Sequence, residues 1–178
     1  MYNVKLEWAK SSFKRKFAFI AGKIFGIFLR KFDSYCVRNA DYYFAECETV
    51  KRIIKETYNV NGKVVYPAVG KNFKIEKSDK KDLLKYGINK DYILGSGRII
   101  RQKRFDYLIE AFSKLKKENL QLVLAGKYDE SERKMLEKLA KEKKIKVLFL
   151  GALDIQELVK LYNLASVTVL TCPEEWFG

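Results

Sequence analysis

Residues 92–115 read YILGSGRIIRQKRFDYLIEAFSKL, and a change of period inside this stretch decides the fold. Residues 92–94 are a short apolar run that stops at Gly95, Ser96 and Gly97, whereas Phe105, Leu108, Ile109, Phe112 and Leu115 recur at intervals of three and four. The first pattern is that of a strand buried on both faces; the second is one face of a helix. A strand that passes through a small-residue turn into an amphipathic helix is one βα unit.

The same grammar repeats on both sides of it. Downstream, residues 120–125 are apolar but for Gln121 and end at Gly126, after which Asp129 and Glu132 offer a cap for a helix reaching Lys143. Residues 146–150 form the next strand, closed by Gly151. Asp154 and Glu157 repeat the capping arrangement ahead of Leu158, Leu161 and Tyr162, and residues 167–170 are the fourth strand. Upstream, residues 42–45 and 63–66 read as strands, with Val50, Ile53, Ile54 and Tyr58 forming one face of a helix between them. Pro67 ends the second of these. Residues 67–90 are then polar, with Gly70, Gly87 and a Lys/Asp-rich run, and read as a linker holding a short helix around 80–86.

The order is therefore βαβ, linker, βαβαβαβ. It predicts an α/β fold, a Rossmann-like parallel sheet with helices on both faces. The boundaries fall at 1–66, 67–90 and 91–178. In such sheets ligands bind beyond the carboxyl ends of the strands, so chemistry is to be sought just after Leu94, Ala125, Leu150 and Leu170.

Composition narrows the chemistry. At 178 residues the chain has room for about one full domain core. Its 48% hydrophobic content places it far from the apolar-poor disordered class. There is no histidine, which excludes triads with a His base and His-ligated zinc. Cys36, Cys47 and Cys172 form no CxxC pair, so neither a metal site nor a disulfide framework is expected, and a reducing compartment is the simplest inference. Residues 1–7 are polar and mixed in charge, unlike a secretory leader. The longest apolar segment, residues 17–32, is broken by Lys23, Arg30 and Lys31 and falls short of the roughly 20 residues that span a bilayer.

The net charge of +14 is concentrated at the start, where the first forty residues hold nine Lys or Arg against Glu7 and Asp33. Phe13, Phe17, Ile20, Ile24, Ile27 and Phe28 recur there at helical spacing, which predicts a basic amphipathic helix. Such a helix suits an anionic membrane surface, and it equally suits packing on its own domain with solvated lysines. No nucleic-acid motif accompanies the charge, so nucleic acid is not the expected partner.

Two stretches carry chemistry. Gly97 and Arg98, with Lys103 ahead of the helix, combine close backbone approach, free N–H groups and two positive charges. A phosphate or diphosphate is the natural guest, although Arg and Lys near a βα turn are also common as plain surface. A nicotinamide-dinucleotide site is excluded, because the third glycine of GxGxxG is replaced by Ile100 and the second strand ends in Gly126-Lys127 rather than an acidic residue. The last strand runs into Thr171-Cys172-Pro173-Glu174-Glu175-Trp176-Phe177-Gly178, where carboxylates beside aromatics could grip a sugar, or simply cap a turn.

Taken together, GSGRIIRQKRFDYLIEAFSKL, LQLVLAG, IKVLFLGAL and CPEEWFG resemble, in order and nearly in spacing, the donor-binding domain of family-4 retaining glycosyltransferases of the GT-B type. ADYYFAECETVKRIIKETYNV and KVVYPAV resemble the end of the acceptor-side domain and the crossing into the linker. The likeness covers about residues 41–178 and is nearest to mannosyltransferases that build polysaccharide, O-antigen or glycan chains. It implies that Arg98 and Lys103 hold the diphosphate of a nucleotide sugar such as GDP-mannose, that Leu153 lies against the base, that Glu175 contacts the donor sugar, and that the backbone of Gly178 approaches it. Arg98, Lys103 and Glu175 would be the catalytic set, with no metal and no cofactor beyond the sugar donor. The acceptor would be a glycan or a lipid-linked saccharide, and the location cytoplasmic, peripheral at the inner face of the membrane.

Two departures from the family pattern are Cys47 in place of Ser and Ala68 in place of Pro. The family's second glutamate would fall beyond Gly178 and its glycine-rich acceptor loop before Met1, so the resemblance implies an incomplete enzyme completed by further polypeptide or a partner chain. The alternative is a non-catalytic nucleotide-binding or assembly module that acts with a partner.

Overall fold

The computed structural model describes residues 13–115 and 119–173, with side chains from residue 25 onward. The chain divides between Pro67 and Ala68 into two compact units. The first holds helix α1 (Phe13–Arg38), strand β1 (Phe44–Ala45), helix α2 (Glu48–Tyr58) and strand β2 (Lys63–Val64), with β1 and β2 parallel. Both strands are shorter than the sequence predicts. Tyr42 is mostly exposed, and only Phe44 and Ala45 have paired partners, Lys63 and Val64.

α2 ends on Asn59 in the left-handed conformation (φ 56°), whose N–H donates to the Lys55 carbonyl. It starts on Cys47, which makes no side-chain capping bond. α1 is tied to its unit by Tyr58, which donates to the Asp33 carboxylate, and by Tyr43, which donates to the Val37 carbonyl. Phe25, Phe28, Leu29, Phe32 and Tyr35 are all exposed. Among the described residues no helix is long and apolar enough to cross a membrane.

The second unit is the α/β sheet. A 3-10 helix (Lys80–Tyr86) precedes β3 (Asp91–Ser96), a 3-10 turn (Arg101–Lys103) and α3 (Phe105–Ser113). Then come β4 (Leu120–Ala125), α4 (Glu130–Glu142), β5 (Val147–Gly151), α5 (Ile155–Leu164) and β6 (Val167–Val169). The strands are parallel in the order β5-β4-β3-β6.

Alternation along β4 serves two cores. Leu122 and Leu124 join Phe105, Leu108 and Ile109 of α3 and Leu136 and Ala140 of α4, while Val123 and Ala125 join Leu161 of α5 and Leu83 of the 3-10 helix. Helices therefore cover both faces, as the apolar strands require. Caps fix where α4 and α5 begin: Asp129 accepts from the N–H groups of Ser131 and Glu132, and Asp154 from that of Glu157. The N–H of Asp129 is taken by the Ile99 carbonyl at 3.1 Å, so Glu132 is not needed for a reciprocal cap; it is buried, and burial pushes its carboxyl up.

Candidate functional site

The order β5-β4-β3-β6 means that the chain winds outward from β3 through β4 to β5 and then returns to the far side of β3. The reversal falls between β3 and β6, and the crevice beyond the carboxyl ends of those two strands is where such a sheet receives a ligand.

The loop leaving β3 is stitched to the loop leaving β4. Gly97 N–H donates to Ala125 O at 3.0 Å, and Ile99 N–H to Lys127 O at 2.9 Å. Ile99 is fully buried and anchors the loop in the core. Gly126 sits at φ +142°, and a Cβ there would stand 1.9 Å from the Gly97 carbonyl oxygen, so this crossing of two backbones demands glycine. Gly97 itself has φ +134°, and a Cβ on it would meet nothing within 4 Å. One side of the loop backbone is thus packed, and the other is open to a ligand.

Gly97, Arg98 and Lys103 lie together on this loop. Arg98 is exposed and Lys103 half-buried. Ile100 N–H donates to Arg98 O and Lys103 N–H to Ile100 O, both at 3.0 Å. The turn ends on Arg104, a non-glycine residue in the left-handed region at φ 53°. It is held there by its side chain, which grips Asp106 with Nε at 3.0 Å and Nη2 at 2.8 Å and lies over the Tyr107 ring at 3.6 Å. The Asp106 carboxylate pushes the Arg104 guanidinium well above its usual range. The charge of Arg104 is spent on building the turn, whereas Arg98 stands in solvent at the mouth of the loop. The amino end of α3 adds its own N–H groups and positive dipole end to this region.

From the other side of the reversal, Thr171 donates from Oγ1 to the Lys103 carbonyl at 2.6 Å, and Cys172 from Sγ to the Gln102 carbonyl at 3.3 Å. Tyr162 of α5 donates to Ser96 Oγ at 2.8 Å, its ring set edge-on to Phe73 with centroids 5.8 Å apart. Leu153 is half-buried against the core that holds Val123, Ala125 and Leu161, on the loop that leaves β5. Glu175 and Gly178 lie outside the described residues.

The sequence assigns no role at the site to Thr171, to Tyr162 or to the Gly97–Gly126 crossing. Gly126 alone had a signal, as a glycine directly after an apolar strand. Among the described residues no group of three or more His, Cys, Asp or Glu side chains is placed to hold a metal. A depression of about 570 Å³ opens at the opposite, amino-terminal end of the sheet. It is bordered by Asp91, Leu120 and Val167, and Asp91 is already paired with Lys80 at 2.7 Å. It lacks the convergent charge that marks the β3 loop.

Residues 76–178 match the family described as glycosyl transferases group 1, and the chain belongs to that family. The fold neighbours are GT-B glycosyltransferases. An uncharacterized glycosyltransferase of Methanocaldococcus jannaschii is 42% identical over 89 residues, which cover 48% of this chain and 22% of that protein. Sucrose-phosphate synthase from Thermosynechococcus elongatus has a similar fold, with a TM-score of 0.68 at 23% identity over 84% of this chain and 39% of its own. So does Anabaena HepE, solved in complex with UDP and glucose, with a TM-score of 0.66 at 18% identity over 76% of this chain and 39% of its own. The chain thus spans about a fifth to two fifths of the length of these relatives.

Proposed function

We propose that the second unit forms part of the donor side of a retaining glycosyltransferase, and that its β3 loop binds the diphosphate of a nucleotide sugar. The observation that carries this reading is the placement of Gly97, Arg98 and Lys103 on one hydrogen-bonded loop at the reversal point of the sheet. Arg98 and Lys103 would neutralise the diphosphate as it leaves, an electrostatic role that requires no metal. Leu153 would lie against the base, and Glu175 and the Gly178 backbone would meet the donor sugar. The family membership supports this assignment, and the UDP bound to Anabaena HepE supports a nucleoside diphosphate as the ligand class.

For the donor we propose GDP-mannose, and for the acceptor a growing polysaccharide, glycan or lipid-linked saccharide, with the protein working in the cytoplasm at the inner face of the membrane. Residues 1–66 would come from the acceptor side, with the basic α1 as the segment that meets an anionic surface. Flotation with anionic vesicles at low salt should carry the chain upward, and failure to float would remove the membrane part of the proposal. Because the chain spans two fifths of its solved relatives, the remaining wall of the cleft would come from further polypeptide.

The test is incubation of the chain with labelled GDP-mannose or UDP-glucose and a saccharide acceptor. Binding without turnover is expected. Multiple turnovers by this polypeptide alone would show that it already contains the whole machinery, and absence of binding to either donor would refute the donor site. Binding that stays without turnover after the acceptor-side polypeptide is added would favour a non-catalytic module.

A further inference from the structure

Lys103 reaches its place through a chain of local constraints, and one of them comes from far away in sequence. Lys103 is the last residue of the three-residue turn Arg101–Lys103, directly before the left-handed Arg104, and its N–H donates to the Ile100 carbonyl. The Lys103 carbonyl is bonded by the hydroxyl of Thr171 at 2.6 Å, a half-buried contact across 68 positions of sequence. The neighbouring Gln102 carbonyl receives Cys172 Sγ at 3.3 Å. Thr171 stands just past β6, and β6 pairs with β3 through Ile93–Val167, Leu94–Thr168 and Gly95–Val169. The bond therefore bridges the reversal point itself. It ties the arm bearing Arg98 and Lys103 to the segment that continues toward Glu175.

A lysine carries its ammonium on a flexible four-carbon stem, so its placement depends on how firmly its backbone is held. We propose that Thr171 is a positioning residue: its hydroxyl fixes the Lys103 backbone so that the ammonium meets the nucleotide diphosphate. This inference rests on the donor-site reading above. It adds that, beyond the β3–β6 pairing, the Thr171 side chain ties the end of the β3 loop to the segment that follows β6.

The experiment is a double-mutant cycle on the full chain, titrated with UDP and with GDP. Thr171→Val should weaken binding by about 3- to 10-fold, the loss expected when one neutral hydrogen bond is removed. Thr171→Ser should stay within about twofold of the parent chain, since it keeps the donor. In a Lys103→Ala background, Thr171→Val should change affinity less than about twofold, because the group it positions is gone. A purely structural role would weaken binding equally in both backgrounds, and that result overturns the proposal. So does an unchanged affinity in Thr171→Val, or a failure of serine to rescue. Thr171→Ala is carried alongside, so that a packing defect of valine does not decide the outcome. If Lys103→Ala weakens binding and the Thr171 variants do not, only the positioning role fails. If Lys103→Ala has no effect, or neither nucleotide binds the parent chain, the donor-site reading fails and takes this proposal with it.

Discussion

The two units of the chain solve the problem of an apolar surface in opposite ways. In the second, Leu94, Ile109, Leu122, Leu124, Leu136 and Leu161 are completely buried beneath helices on both faces of the sheet. In the first, Ala45 is the buried apolar residue among those described, while Phe25, Ile27, Phe28, Leu29, Phe32 and Tyr35 of α1 are exposed. Apolar side chains spaced along a helix thus lie in a closed core in one region and in the open in the other. Periodicity states that a face is apolar; it does not state what covers that face.

The sharpest way to break this comparison is a pair of truncations. Leu124→Ala should cost about 2–5 kcal/mol, the usual range for emptying a fully buried leucine site. Phe28→Ala should change stability by about 0.5 kcal/mol or less, as expected for an exposed position. Denaturant unfolding checks both, and equal losses would mean that α1 is as well packed as the sheet.

That contrast also marks how far the sequence could be read. The strands of the second unit were legible because burial on both faces leaves uninterrupted apolar runs, and β4 lies where residues 120–125 predict it. The glycines and caps bounding them were legible because few residue types can fill those positions. β1 and β2 came out shorter, since Tyr42, Val65 and Tyr66 belong to apolar runs and yet are exposed. Strand order was not spelled out, because nothing in a single strand says which side of β3 the last one joins. Gly97, Arg98 and Lys103 could be picked out by their chemistry on one loop. The Thr171 bond to Lys103 could not, since a threonine after a strand is ordinary until the fold brings it against its partner.

A second contrast sets two glycines against each other. Gly126→Ala places a Cβ 1.9 Å from a backbone oxygen at a φ of +142°, so it should cost about 1–3 kcal/mol and loosen nucleotide binding with it. Gly62 of the first unit is set in ordinary contact, 3.5 Å from the Tyr43 carbonyl oxygen, and Gly62→Ala should be close to neutral. Thermal melts with and without GDP or UDP compare the pair.

The smallest expected effect is on acid sensitivity. Bonds from the Ser131 side chain and the Glu132 and Ser131 N–H groups hold the Asp129 carboxyl below its ordinary value, and the Lys85 ammonium does the same for Glu157. A carboxyl lowered on folding stabilises above the unfolded value of about pH 4 and loses that contribution as pH falls through its folded value. Glu132, raised by burial, has the opposite sign and regains stability on protonation. Asp129→Asn keeps a capping oxygen but does not titrate there. Its unfolding midpoint should therefore fall less steeply with acid than that of the parent chain, and parallel acid profiles would count against the cap.

The most direct test of the central claim is calorimetric titration of the parent chain and of Arg98→Ala with GDP and with UDP. If the β3 loop is the diphosphate site, the parent chain binds and Arg98→Ala binds more weakly by about 1.5–3 kcal/mol, the range for a hydrogen bond to a charged group. Superimposable curves for the two proteins would contradict the assignment.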